Sequence, residues 1–261
     1  MMIKKAKIPT RENRAMRKSI MITGATSGIG KAVAYQMAQK GYALALTGTR
    51  QQLVDEIRLD IEAKFNPPKV VSRALDVTDH DDVFNAVDEI GEAFSGLGIV
   101  FANAGIGLGE KVGKGDFEKA RKTIAVNLVG AIATVDAAVG YFLKQGGGHI
   151  VGTSSIAALR GFPRSSAYSA AKAGFAIYLE SVRAECYKKN IDVTVLYPGY
   201  IDTPLNNMLP SRPFLISVEK GAAIITRLIE KRVRSAKVPA YPWAFVGPLL
   251  KILPTRIISK M

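Results

Sequence analysis

The sequence predicts an α/β fold, in which a single doubly wound domain has a mostly parallel sheet and helices on both faces. Short aliphatic or β-branched runs alternate with helical segments six times between residues 19 and 197. Such alternation is typical of a parallel sheet covered by helices. The 261 residues are 48% hydrophobic and 22% charged, which excludes a disordered or collagen-like chain. No linker or change of composition divides residues 19–226, so the sequence predicts one domain.

The predicted elements follow one another in a regular order. Strands are predicted at residues 19–23, 44–47, 70–75, 99–102, 150–153 and 193–197. Helices are predicted at residues 30–40, 51–64, 116–144 and 166–188, with a further one directly after Asp79. Gly41 ends the first helix and Pro67 follows the end of the second, because glycine and proline interrupt helices. Asp79 is a suitable N-cap residue, and the acids after it stabilise the first turn of the third helix.

Residues 123–143 are nearly all apolar and approach the length of about 20 residues that a transmembrane helix needs. They include Asn127 and Asp136 and lie within the strand–helix alternation, so we expect a buried helix of the domain instead. The N-terminus is basic, but the apolar core of about 7–15 residues that defines a secretory signal does not follow it. The sequence therefore predicts a cytoplasmic protein, with an organelle transit peptide and membrane association open as alternatives.

The formal net charge of +14 is concentrated at the two ends of the chain. Residues 1–18 contain seven Lys or Arg and one acid, and residues 227–261 contain eight and one. The basic residues at the two ends either are solvated and contribute only to solubility, or they bind an anionic lipid surface or an acidic partner. Nucleic acid is not an expected partner, because no recognition motif accompanies the charge. Cys186, His80 and His149 are too few for a disulfide or a metal site, so no metal is expected.

A glycine-rich turn lies between the first strand and the first helix. Its glycines, Gly24, Gly28 and Gly30, have the spacing G-x-x-x-G-x-G. Glycines allow the backbone to approach a pyrophosphate, and the N-terminus of the helix offers free N–H groups and a positive dipole end. The turn therefore predicts a Rossmann-type dinucleotide site. Its expected cofactor-binding residues are Thr23, Gly24, Thr26, Ser27, Gly28, Ile29 and Gly30.

The end of the second strand indicates which nicotinamide cofactor is bound. An acid at this position favours NAD through the ribose 2′-hydroxyl, whereas a cation suits the 2′-phosphate of NADP. The residues here are Thr47, Gly48, Thr49 and Arg50, without a carboxylate. Arg50 is the candidate partner of the phosphate and Thr49 a candidate hydroxyl donor, so NADP is predicted ahead of NAD. A solvated arginine at the start of the second helix is the alternative.

A second cluster contains Ser155, Tyr168 and Lys172. Tyr168 and Lys172 are four residues apart, which places both on one face of a helix. A nearby ammonium favours the phenolate, so we expect the pKa of Tyr168 to be lowered from about 10 toward working pH. Such a tyrosine can exchange a proton with a carbonyl oxygen. Ser155 follows the fifth strand at the carboxyl edge of the sheet, where ligands of open α/β folds bind.

With these residues, the chain resembles the short-chain dehydrogenase/reductase family over residues 19–203. The turn at residues 23–30 and the Ser155–Tyr168–Lys172 cluster carry much of the resemblance. Further matching residues follow the other strands or lie in the fourth helix: Asp76, Val77, Asn103, Ala104, Gly105, Asn127, Pro198, Gly199 and Thr203. The resemblance implies an NADP(H)-dependent oxidoreductase that transfers a hydride between nicotinamide and a carbonyl or secondary alcohol.

The resemblance also implies a role for each matching residue. The tyrosine is the acid/base, the serine positions the carbonyl, and the lysine binds the nicotinamide ribose and lowers the pKa of the tyrosine. Asn127 is expected to hold a water molecule of a proton relay. The further residues expected to contact the cofactor are Asp76 and Val77 at adenine, Asn103 near the adenosine ribose, Thr203 at the carboxamide, and Ala104, Gly105, Pro198, Gly199 and Ile201.

Beyond residue 203 the sequence departs from the family pattern of a short closing strand and a Gly-rich C-terminus. Residues 204–218 are rich in apolar side chains and are expected to face an apolar substrate, for which a lipid is one candidate. Residues 1–18 are assigned to a basic tail, 19–237 to the catalytic domain, and 238–261 to an extension. Pro248 and Pro254 are expected to limit helices in the extension to short pieces.

The extension is expected to pack on the domain or to contact a membrane surface peripherally. The family also implies a homo-oligomer. Two alternatives for function stay open: a 3-oxoacyl carrier-protein reductase, whose acidic carrier the basic ends would recruit, and a nucleotide-sensing or scaffold protein without turnover.

Overall fold

The computed structural model describes residues 18–209 and 211–260. Seven parallel strands form a sheet with the order β3-β2-β1-β4-β5-β6-β7. The strands are β1 Ser19–Thr23, β2 Ala43–Gly48, β3 Val70–Ala74, β4 Ile99–Ala102, β5 Gly148–Thr153, β6 Ile191–Pro198 and β7 Ser235–Val238. The predicted fold class and all six predicted strands are confirmed. Residues 1–17 of the predicted basic tail lie outside the described residues.

Helices cover both faces of the sheet. They are α1 Gly28–Gln39, α2 Gln51–Phe65, α3 His80–Ala93, α4 Phe117–Ile124, α5 Ala131–Gln145, α6 Ser166–Glu185, α7 Val218–Glu230, α8 Ala240–Ile252 and α9 Thr255–Ile258. A π-helical turn, Ala125–Gly130, joins α4 to α5, and a 3₁₀ turn, Ile156–Ala158, follows β5. Asp79 caps α3 as predicted, since its carboxylate accepts a hydrogen bond from Asp82 N at 3.1 Å.

The core lies in two layers, one on each face of the sheet. Side chains of β1 alternate between them: Ile20 and Ile22 pack with α1, α2 and α7, and Met21 packs with α3, α5 and α6. Burial on both faces explains why the inner strands read as continuous apolar runs rather than as alternating ones. Because β1, β4, β5 and β6 are parallel, their carboxyl ends lie at the same edge of the sheet.

The helical run Phe117–Gln145 is long and apolar enough to cross a membrane, judged by length and composition. Half of its most apolar window is buried inside the domain. Its second part, α5, packs against α3 and lies over the sheet. This arrangement agrees with the predicted buried helix at residues 123–143, although the π-helical turn divides the run.

The expectation that the chain lacks a closing strand was wrong. β7 pairs in parallel with β6, from Val195 opposite Ser235 to Pro198 opposite Val238. Its sequence, Ser-Ala-Lys-Val, has little apolar character because β7 is an edge strand and only Val238 is buried. The predicted boundary between residues 237 and 238 therefore falls inside this strand.

The expectation that Pro248 and Pro254 limit helices to short pieces holds in part, because α8 continues through Pro248 but ends before Pro254. The backbone is non-helical at Tyr241, so the regular part of α8 starts after this residue. One face of α8 is buried through Trp243, Gly247 and Leu250. Trp243 and Leu250 pack with Ile156, so the extension lies on the same domain beside the turn that follows β5.

Candidate active site

A cavity of about 350 Å³ opens at the carboxyl ends of β1, β4, β5 and β6. Most residues predicted for the site line it: Gly24, Thr26, Ser27, Gly28, Ile29, Thr49, Asp76, Val77, Asn103, Ala104, Gly105, Ser155, Tyr168, Lys172, Pro198, Gly199, Ile201 and Thr203. Four predicted residues do not line it: Thr23, Gly30, Arg50 and Asn127. Pro204, Leu205 and Asn206, from the segment expected to face the substrate, also line it. Residues that the sequence analysis did not single out include Gly48, Leu75, Ile106, Val126, Thr153 and Ser154.

The glycine-rich turn forms one wall of the cavity, and each of its glycines is needed there. Gly24 and Gly28 have φ angles of +69° and +52°, which other residues rarely adopt. A Cβ atom at Gly30 would lie 2.2 Å from the carbonyl oxygen of Gly24. The N-cap residue Ser27 makes no side-chain capping bond, so the first N–H groups of α1 stay available. This turn fits a pyrophosphate held at a helix N-terminus.

Thr23 acts behind the cavity rather than in its wall. Its buried hydroxyl accepts hydrogen bonds from the backbone N–H groups of Asn103 and Ala104 at 3.0 and 3.1 Å. The amide of Asn103 in turn donates to the carbonyl oxygen of Thr23 at 3.1 Å. These bonds join the glycine-rich turn to the loop after β4, so both walls of the cavity are held together.

Lys172 lies at the bottom of the cavity on α6. Its side chain is buried, and Nζ donates a hydrogen bond to the carbonyl oxygen of Thr153 at 2.8 Å. Burial lowers the pKa of Lys172 to about 8. The Nζ atom lies 5.8 Å from the centre of the Tyr168 ring, which is one helical turn away as the sequence predicted. The ammonium and the phenol thus share one side of α6.

The pKa of Tyr168 is raised, which contradicts the lowering expected from the sequence. Burial is the main cause, the hydrogen bond with Ser155 opposes it, and the Tyr200 phenol raises the pKa further. Lys172 is not among the causes of this shift; its Nζ donates to the carbonyl oxygen at the end of β5 and lies 5.8 Å from the centre of the ring. The phenol therefore keeps its proton at neutral pH.

Of the two adjacent serines, Ser155 is the one partly exposed at the cavity. Its Oγ accepts a hydrogen bond from Ala157 N at 3.1 Å and caps the 3₁₀ turn. Ser154 is buried, and its hydroxyl donates to the carbonyl oxygen of Lys172 at 2.8 Å. The hydroxyl of Ser154 is thus engaged within the protein, whereas that of Ser155 contacts Tyr168.

Asn127 lies in the π-helical turn and is completely buried. Its amide donates to the carbonyl oxygen of Ile106 at 2.7 Å and accepts from the N–H of Ile106 at 3.0 Å. This pair of bonds fixes the loop after β4 where Gly105 and Ile106 line the cavity. A π-helical turn commonly marks a functional position, because the extra residue redirects side chains.

Three further predicted residues lie at or beside the end of the cavity that is far from Tyr168. Asp76 is exposed there, and its Oδ1 accepts hydrogen bonds from the N–H and the hydroxyl of Thr78 at 2.9 and 2.8 Å. Thr49 lines the cavity, while Arg50 is exposed beside it as the residue before α2. A cation is therefore present next to the cavity at the end of β2.

Glu110 is a residue near the site that the sequence analysis missed. It is 5% exposed, and its Oε1 accepts hydrogen bonds from the Ser166 hydroxyl and the Ala167 N–H at 2.9 and 2.5 Å. Its Oε2 is buried without a partner among the described residues. Glu110 thus caps the first turn of α6, directly before Tyr168. The sequence carried no signal of this contact, because the partners are 56 and 57 residues apart.

Several known proteins are similar to this chain in sequence. The family model described as short chain dehydrogenase matches residues 18–213. An uncharacterized oxidoreductase of Mycobacterium tuberculosis strain H37Rv is 35% identical over 245 residues, covering 94% of this chain and 97% of that protein. The 11-beta-hydroxysteroid dehydrogenase 1A of Arabidopsis thaliana is 36% identical over 191 residues, covering 72% of this chain and 53% of that protein.

The solved structures extend this similarity to the fold. An alcohol dehydrogenase from Thermococcus sibiricus, in complex with 5-hydroxy-NADP, has a TM-score of 0.75 and 26% identity. The match covers 84% of this chain and 94% of that one. A levodione reductase at 23% identity has a TM-score of 0.76, over 84% of this chain and 93% of its own, and supports the fold alone. The chain belongs to the short-chain dehydrogenase/reductase family of oxidoreductases.

Proposed function

We propose that this oxidoreductase uses NADP(H) to interconvert a carbonyl group and a secondary alcohol on an apolar substrate. The observation that carries the proposal is the position of Ser155, Tyr168 and Lys172 in the cavity that the glycine-rich turn also lines. When bound, the cofactor supplies or accepts the hydride. A cavity that joins a pyrophosphate-type turn to an acid/base tyrosine suits this reaction class.

In the direction of reduction, the protein residues act on the carbonyl oxygen. The Ser155 hydroxyl holds this oxygen, and Tyr168 donates the proton that converts the developing alkoxide to an alcohol. The raised pKa of Tyr168 keeps the phenol protonated and therefore able to donate. Lys172 and Asn127 position the groups around it, through Thr153 and Ile106 respectively. In the direction of oxidation the same proton returns to Tyr168.

The preference for NADP rests on the end of β2. Thr49 lines the cavity, Arg50 is exposed beside it, and neither residue is an acid that would repel a 2′-phosphate. The Thermococcus sibiricus enzyme, at 26% identity, is itself in complex with an NADP derivative. Asp76 at the same end of the cavity is proposed to contact adenine.

The preference for an apolar substrate rests on the opposite end of the cavity. Ile106, Pro204 and Leu205 line it there, and Leu205 packs against Gly107. Met208 and Leu209 follow on the same loop and are exposed. An apolar substrate would cover these side chains and remove them from water. The name of the Arabidopsis thaliana relative, a hydroxysteroid dehydrogenase, points in the same direction.

Turnover assays test the proposal. The purified protein is given NADPH or NADH with a panel of apolar ketones, aldehydes and 3-oxoacyl thioesters, and the Tyr168→Phe variant serves as the blank. We expect NADPH oxidation with apolar ketones or aldehydes. Exclusive activity on 3-oxoacyl carrier thioesters would replace the proposed substrate class by the carrier-protein alternative. Tight NADPH binding without turnover of any member would instead favour the nucleotide-sensing alternative.

A further inference from the structure

Helix α8 exposes an apolar face, defined here as Tyr241, Phe245, Leu249 and Ile252. Their side chains are 78%, 75%, 50% and 77% exposed. Phe245, Leu249 and Ile252 are spaced by four and three residues, which places them on one side of the regular part of α8, and Tyr241 directly precedes that part. The rings of Tyr241 and Phe245 are neighbours, with centres 6.4 Å apart. Four large apolar side chains in one exposed row are unusual on a protein surface unless something covers them.

The opposite side of α8 explains why this face cannot turn inward. Trp243 and Leu250 are buried, and the Trp243 ring packs against Tyr200 and Phe214, with ring centres 6.1 and 5.5 Å apart. The carbonyl oxygen of Leu253 accepts a hydrogen bond from Arg160 at 3.2 Å. The helix is thus fixed on the domain, and its outer face stays exposed.

All charged side chains of the segment that contains α8, residues 231–261, have one sign. No acid follows Glu230, whereas the remaining residues to 261 include seven Lys or Arg. Lys251 lies within α8 beside Ile252, and Arg256 and Lys260 follow in and after α9; all three are exposed. An apolar helix face with Lys and Arg around it is the pattern of a helix that lies in a membrane interface.

We propose that the α8 apolar face docks on an anionic lipid surface. A symmetric contact between two copies of this face would bring the same cations together without an acid of the segment to offset them. An anionic bilayer instead attracts each cation and covers the apolar side chains. The 13 residues of α8 are too few to span a bilayer, so the contact is peripheral. This proposal stands independently of the substrate and cofactor proposed above.

Co-sedimentation of the full chain with vesicles tests the proposal. The vesicles contain phosphatidylcholine alone or phosphatidylcholine with phosphatidylserine, at low and at high salt. We expect the protein to pellet with the anionic vesicles at low salt, and binding to fall severalfold at high salt or with neutral vesicles. A protein that stays in the supernatant with anionic vesicles at low salt would overturn the proposal.

Matched variants test whether vesicles bind to the α8 apolar face specifically or to any exposed apolar or basic side chain of the protein. Phe245→Ser combined with Ile252→Ser is expected to reduce binding to anionic vesicles at least tenfold. Leu59→Ser removes an apolar side chain of α2 that is 57% exposed and is expected to have no effect. Lys251→Glu is expected to lower binding at least about fivefold, and Lys188→Glu on another surface much less. Equal losses in test and control variants would contradict a specific face.

Sedimentation velocity without lipid tests the alternative that a second copy of this chain covers the α8 apolar face. We expect the double variant at Phe245 and Ile252 to have the same oligomeric state as the unmodified protein. A dimer that dissociates only in this variant would show that the face is a subunit contact, which would overturn the lipid proposal. Circular dichroism confirms that each variant is folded before the binding data are compared.

Discussion

Burial acts on Tyr168 and Lys172 in opposite directions, because one is neutral and the other charged when protonated. It raises the pKa of the phenol and lowers that of the ammonium to about 8. Both groups are therefore shifted toward their neutral forms. A phenol that keeps its proton is ready to donate it, which suits the reduction of a carbonyl.

Replacing Tyr168 by Phe removes the proton donor while the ring that fills the cavity wall remains. We expect turnover to fall by about 10²–10⁴-fold, which is the usual contribution of general acid–base catalysis. Binding of NADPH, followed by fluorescence titration, is expected to stay close to that of the unmodified protein. Tyr187→Phe is the matched control, since Tyr187 is 77% exposed. Turnover of Tyr168→Phe within threefold of the unmodified protein would contradict the assignment.

Arg50 is the residue on which the proposed choice of cofactor depends most. Arg50→Ala removes a cation beside the cavity, so we expect weaker binding of NADPH and little change for NADH. Loss of a charge-assisted hydrogen bond costs about 1.5–3 kcal/mol, or roughly 10–150-fold in affinity. Titration of both cofactors measures the difference, and Arg121→Ala on α4 is the control. Equal losses for the two cofactors would show that Arg50 does not contact the 2′-phosphate.

Among the elements, α6 depends on a cap that comes from a distant loop. The N-cap residue Ser165 makes no side-chain capping bond, and Glu110 supplies the acceptor instead. The backbone N–H of Glu110 also donates to the carbonyl oxygen of Arg164 at 3.1 Å. Because Tyr168 lies in the first turn of α6, this cap positions the turn that carries the phenol.

Glu110→Ala is expected to lower the free energy of unfolding by about 1–2 kcal/mol, since it removes a cap. It is also expected to lower kcat more than it changes KM for NADPH, because the phenol is displaced while the glycine-rich turn is intact. Glu110→Gln keeps an acceptor oxygen and is expected to restore most of kcat. Asp79→Ala removes the cap of α3 and provides a control for stability alone. A loss of kcat in Asp79→Ala equal to that in Glu110→Ala would contradict the positioning role.

The sequence predicted those elements that can be recognised from their own residues. The inner strands are buried on both faces and read as short apolar runs, so all five were found. The edge strand β3 is only partly buried and was found through its two valines and its place in the alternation. Residues at the carboxyl ends of these parallel strands lie at one edge of the sheet. β7 was missed because an edge strand needs few apolar residues. The course of α8 through Pro248 was missed because packing of Trp243 and Leu250 overrides the helix-breaking tendency of proline.

The residues of the site were predictable where they follow a strand or share a helix turn. Long-range partners were not: nothing in the sequence joins Asn127 to Ile106 or Glu110 to Ala167. The direction of the Tyr168 pKa also depends on three-dimensional burial, which the four-residue spacing to Lys172 does not report. The sequence pattern thus predicted most of the residues that line the cavity, whereas tertiary packing determines the pKa of Tyr168.

For the whole molecule, a buried histidine in the sheet links stability to pH. His149 on β5 is completely buried, and its Nε2 lies 2.9 Å from the Thr194 hydroxyl on β6. Thr194 donates its own proton to the carbonyl oxygen of Val233 at 2.5 Å, so Nε2 of His149 is the donor in their contact. Burial is the main cause that lowers the pKa of His149 to about 3, and the charge of Arg232 adds to it.

His149 therefore stays neutral in the folded chain at pH values at which it is protonated in the unfolded chain. Between the ordinary pKa of about 6.5 and the lowered value of about 3, the unfolded state binds more protons, so stability falls as the pH falls. From pH 7 to pH 5 the contribution of His149 is a loss of about 2 kcal/mol. Carboxylates with lowered pKa values, such as Asp82, titrate below this interval and do not obscure it.

Urea unfolding at pH 7 and pH 5 measures this loss in the unmodified protein and in His149→Gln. The glutamine amide can still donate to Thr194 but does not titrate. The loss of unfolding free energy between pH 7 and pH 5 is therefore expected to be about 2 kcal/mol smaller in His149→Gln than in the unmodified protein. His80→Gln replaces an exposed histidine and is expected to retain the full pH dependence. The same dependence in His149→Gln as in the unmodified protein would mean that another group causes the acid destabilisation.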